Sequence, residues 1–108
     1  GAGNGNITFD SCEAKALKEV FQKELPPVIT PSIIFGETNG VSGLLNIICG
    51  ALMLERNQLI KTLENYDSYK QYINVNYKDK RGGINNILVQ SVSFYGDISS
   101  LVISNTKY

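Results

Sequence analysis

Among side chains that do chemistry near neutral pH, the chain carries two cysteines, Cys12 and Cys49, and no histidine in 108 residues. Histidine is the usual proton shuttle at physiological pH, so the common acid–base machinery is missing. A His-containing metal site and a Ser-His-Asp or Cys-His nucleophile are excluded by inventory. Neither cysteine belongs to a C-x-x-C pair, which argues against a redox or zinc role. Carboxylates are scattered: Glu55 and Glu64 are nine residues apart and share no cluster with a third acid, and nothing suggests two carboxyls converging across a cleft. Gly36 to Gly43 precedes a helical pattern, as phosphate loops do, but the Lys-Ser/Thr of a P-loop and the G-x-G-x-x-G spacing are both absent. It reads as a strand-to-helix turn. No catalytic residue, metal or cofactor is expected, and the chain is not read as an enzyme.

Composition points the same way. Ten Lys+Arg balance ten Asp+Glu, whereas nucleic-acid binders usually carry a basic excess. No nucleic-acid partner is expected. Lys78, Lys80 and Arg81 make a basic hairpin tip, read as a solvated turn. The most apolar run, Val41 to Leu54, includes Asn46 and is shorter than the roughly 20 residues a membrane helix needs. Residues 1–5 read as a linker or cloning scar and residues 6–108 as one domain. A membrane is expected only through a removed N-terminal anchor or signal peptide.

The elements that would position any site follow from periodicity. Ile7-Thr8-Phe9 reads as a short β-like stretch, with Asp10 or Ser11 capping a helix over about 11–25. Pro26-Pro27 ends that helix, because neither proline donates the next hydrogen bond. Val28 to Phe35 reads as an edge strand interrupted by Pro31. Ser42 is the expected cap of a long second helix, to about Asn65. Residues 73–78, 86–95 and 99–105 read as an antiparallel meander. The expected fold is α+β: a two-layer sandwich, two helices (one long) on one face of a mostly antiparallel 3–4-stranded sheet. Its expected core is Leu17, Phe21, Leu45, Ile48, Leu52, Leu59, Leu63, Val92 and Leu101.

Candidate binding residues come from surplus apolar surface. The first half of helix two is apolar nearly all round, more than one sheet face can cover. Ile47, Ala51 and Leu54 are therefore read as partner-binding. Tyr66, Tyr69 and Tyr72 join them, because tyrosine buries area at interfaces while keeping a polar handle. The alternative is that some tyrosines cover the sheet and the rest are solvated. A Cys12–Cys49 disulfide is expected if the helices pack side by side. Its closed loop would stabilise by about 4 kcal/mol. The alternative is two unrelated thiols, with Cys49 in the core.

Leu17 to Phe35, a helix ending in Leu-Pro-Pro and running into a β-rich stretch, resembles small periplasmic domains of bacterial secretion, pilus-assembly and membrane-anchored regulatory proteins. This is a likeness of layout rather than of motif. It implies a periplasmic or extracytoplasmic, non-catalytic interaction domain that binds a protein partner or forms a homodimer. The alternatives are a cytoplasmic adaptor or oligomerisation domain with free thiols, or a small-ligand-binding domain.

Overall fold

Helix α1 spans Ile7–Phe21 in the computed structural model, which describes residues 7–31, 41–61, 76, 78–92 and 97–105. The stretch expected as a short strand, 7–9, is thus the first turn of the helix. Asp10 lies inside that turn rather than before it. A carboxylate there complements the positive end of the helix dipole. Glu13, Ala14 and Leu17 form the buried face with Asp10, while Lys15, Lys18 and Glu19 meet solvent. The helix ends where Gln22 takes a positive φ of 53° and its N–H donates to the Lys18 carbonyl at 2.9 Å. That is three residues before Leu25, and Pro26-Pro27 follow. Ala14, Leu17 and Val28 make a buried cluster, with Phe21, Leu25 and Leu88 packed against it.

Helix α2 spans Ser42–Arg56. Its N-cap is Val41, with no side-chain capping bond, so Ser42 is the first helical residue and not the cap. The helix is also shorter than its apolar pattern suggested. Asn57 adopts the left-handed conformation (φ 50°, ψ 44°), which short polar side chains tolerate better than others. The backbone then turns into β1, Gln58–Leu59. Asn57 also holds the next connection. Its carbonyl accepts from Gly82 N–H at 2.8 Å, and its Oδ1 accepts from Ile84 N–H at 3.0 Å.

Strand β1 pairs antiparallel with β2, Lys80–Arg81 (Gln58↔Arg81, Leu59↔Lys80). Strands β3, Asn86–Val92, and β4, Ile98–Ser104, form a second antiparallel pair, with Val89 opposite Leu101. The expected alternation along β3 holds: Ile87 and Val89 meet α2 at Gly50, while Leu88 points the other way, into the α1 cluster. The α+β class therefore stands, with the helices packed against the β-structure. The basic stretch Lys78–Arg81 is exposed, as a solvated turn would be, although its end is strand β2. Of the expected 73–78 strand, the described residues include only 76 and 78. Of the 28–35 strand they include 28–31, where Val28 forms an isolated bridge.

Buried Asn76 ties three segments together. Its N–H donates to the Val28 carbonyl at 2.9 Å, and its Nδ2 donates to the carbonyls of Ile60 at 2.9 Å and Lys78 at 2.7 Å.

Candidate functional site

The site begins with the way α2 sits on the hairpin. Its buried residues are Asn46, Gly50, Met53 and Leu54, which follow helical spacing down one face. Gly43 and Gly50 extend this face, and both lie close to the strands. A Cβ on Gly50 would stand 3.4 Å from both Ile103 Cδ1 and Ile87 Cγ2, and one on Gly43 would stand 3.2 Å from Ser91 Oγ. Asn46 Nδ2 donates to the Gln90 carbonyl at 3.3 Å. Up to Gly50, small and polar residues therefore face the strands and the backbone comes in close, while Met53 and Leu54 fill the last turn.

This docking turns the large apolar residues outward. Leu44, Ile48 and Leu52 are 57%, 46% and 43% exposed, with Val41 exposed one turn earlier. Ile48 and Leu52 were expected in the core, so the helix phase read from hydrophobicity is corrected. This phase goes with the close approach at Gly43 and Gly50, and the larger buried side chains, Met53 and Leu54, are confined to the last turn of the helix. Leu54, expected on the partner surface, is 5% exposed and belongs to the buried side. Ala51 is exposed and Ile47 half-buried, so the outward face is centred on Ile48 instead of on 47, 51 and 54. Leu101, also expected in the core, is exposed on β4, as are Ile98 and Val102. Leu17 is buried as expected, and Phe21, Leu45, Leu59 and Val92 are half-buried. Tyr66, Tyr69, Tyr72 and Leu63 lie outside the described residues.

Cys12 and Cys49 are free thiols and are not joined, which corrects the expected disulfide. Cys12 stands on the solvent side of α1, beside the buried Glu13–Ala14 face, and Cys49 is half-buried on α2. Burial pushes the Cys49 thiol pKa above its ordinary value by disfavouring the thiolate. Among the described residues, no group of three cysteine, aspartate or glutamate side chains gathers as a metal site would require. No helix among them is long and apolar enough to cross a membrane.

A second feature lies between the Pro26–Pro31 segment, α2 and β3. A cleft of about 520 Å³ opens there, walled by residues such as Leu17, Phe21, Val28 and Met53. Lys80 and the Gly82-Gly83 turn complete its edge. The ligand-binding alternative drawn from the sequence would use a cleft between the second helix and the sheet; the Pro26, Pro27 and Pro31 wall was not foreseen. No family model matches the chain, and no curated protein matches it.

Proposed function

We propose that this chain is a non-catalytic protein-interaction domain whose docking surface is the outward face of α2, and that its partner is a second copy. The observation that carries this is the exposed row Leu44, Ile48 and Leu52. Contiguous exposed apolar patches larger than a few hundred Å² mark protein contacts, and this row is the candidate for one. The row is evenly spaced about Ile48, with a leucine one turn to each side. An antiparallel pair of α2 helices related by a two-fold axis at Ile48 would set Leu44 of one chain near Leu52 of the other, as an isologous interface requires. The chain's net charge of zero adds no long-range repulsion between copies.

Light scattering across a concentration series tests the reading. The expected result is a monomer–dimer equilibrium that Ile48→Glu shifts to monomer, with a melting temperature equal to the parent's at dilute, monomeric concentration. A monomer at every concentration up to the millimolar range would overturn it, as would a dimer insensitive to Ile48→Glu. The tyrosines at 66, 69 and 72 remain candidates for the edge of the same surface.

The layout likeness of Leu17 to Phe35 supports an extracytoplasmic setting in the bacterial envelope. The free thiols of Cys12 and Cys49 favour a second reading, a cytosolic adaptor or oligomerisation domain. Thiol counting on denatured, non-reduced protein separates the two. Two free thiols support the cytosolic adaptor, and none supports the extracytoplasmic domain.

A further inference from the structure

We infer that the cleft between the Pro26–Pro31 segment, α2 and β3 binds a linear amphiphile with an anionic head, the chemical class of a long-chain carboxylate. Three observations converge on this. The volume, about 520 Å³, falls within the 300–1,000 Å³ typical of small-molecule sites. The walls are mostly apolar, with Leu17, Phe21, Val28 and Met53 drawn from separate parts of the fold and Asn46, Asn85, Asn86 and Gln90 among them. Among the described residues that line the cleft, the single charged one is Lys80.

Charge complementarity selects the occupant. Lys80 is exposed at the solvent side and forms no ion pair among the described residues. The neighbouring carboxylate, Asp79, accepts the Lys61 N–H at Oδ1 (3.1 Å) and is not among the described lining residues. Next to Lys80, Gly82 and Gly83 hold positive φ values of 84° and 73°, and a Cβ on either would meet nothing within 4 Å. The turn therefore adds no side chain at the edge of the cleft, which Lys80 also lines. A neutral lipid would leave the cation unused, and a cationic one would be repelled by it. An alkyl tail would replace water along the apolar walls.

The test is titration of the full chain, followed by amide NMR, with dodecanoate, dodecanol and dodecyltrimethylammonium, each below its aggregation concentration. The expected result is saturable one-to-one binding of dodecanoate, with shifts at Met53, Gly82, Gly83 and Val89. Lys80→Gln should weaken dodecanoate about fivefold and leave dodecanol unchanged. Lys80 is exposed in a two-residue strand, so this variant should fold. Equal affinity for the three head groups would overturn the inference. So would shifts confined to Leu44, Ile48 and Leu52, which would show an amphiphile coating the outer face of α2. Absence of binding would overturn it as well. The dimer reading stands or falls on light scattering, independently of these outcomes.

Discussion

Single side chains set two local properties of this molecule. The first is thiol reactivity. Cys12 is exposed, whereas Cys49 is half-buried and its thiol is held protonated by desolvation. The thiolate is the reactive form, so Cys12 should be alkylated first and Cys49 more slowly. Peptide mapping after a short iodoacetamide pulse checks the order, and equal labelling would contradict it. The same burial links stability to pH. The folded state holds the Cys49 proton more tightly than the unfolded chain does. The resulting stabilisation is fully present below the ordinary thiol range of about pH 8.5 and is lost as pH rises through the raised native value. Cys49→Ala should flatten that alkaline decline. The second property is the turn at Asn57, which combines a left-handed backbone with a hydrogen bond to Ile84 N–H. Asn57→Gly keeps the backbone and loses the bond. Asn57→Ala loses both, so it should be the less stable variant by about 1 kcal/mol in denaturant titration. Equal stabilities would mean that the left-handed conformation carries no strain at this position.

At the scale of elements, the docking of α2 on the hairpin decides which residues are core. Gly50 sits mid-helix, where glycine costs about 1 kcal/mol relative to alanine. A Cβ added there would meet its nearest neighbours at 3.4–3.6 Å, which is ordinary van der Waals contact. Gly50→Ala should therefore be neutral or stabilising by up to about 1 kcal/mol. Gly50→Leu should overpack against Ile87, Val89 and Ile103 and cost about 1–3 kcal/mol. Thermal unfolding of the pair checks both, and a stable leucine variant would show that the helix does not approach the strands so closely. The β3–β4 pairing was legible in the sequence, because alternation along 87–92 is read directly from the pleat. The phase of α2 was not. A helix apolar on nearly every side has no unique buried face, and the deciding residues, Gly43 and Gly50, carry almost no hydrophobic signal. The end of α2 was also hidden, since Asn57 departs from helical geometry while the apolar spacing continues through Leu59.

At the scale of the whole molecule, one side of α2 is buried in the fold and the opposite side carries the proposed association surface. Leu54 is buried and Leu52 largely exposed, although they stand two positions apart. Leu54→Ala should cost about 2–5 kcal/mol, the range for a truncated core leucine. Leu52→Ala should cost the monomer less than about 1 kcal/mol, and its effect should appear in dimerisation instead. Denaturant unfolding at low concentration, paired with light scattering at high concentration, reads the two effects apart. Reversal of the two costs would place the helix in the phase that hydrophobicity alone suggests.

The sequence by itself determined the chemical inventory, the class of fold and much of the hairpin. No histidine can be supplied by folding, and proline pairs, turn residues and alternation act locally, so they can be read without knowing what packs on them. The tertiary structure decided which side of α2 faces inward, how differently the two cysteines are surrounded, and where a cleft opens beside Lys80. Those outcomes depend on how closely separate elements approach one another. At Gly50, the space beside a missing side chain lets the strands come into contact and sends Leu44, Ile48 and Leu52 to the surface.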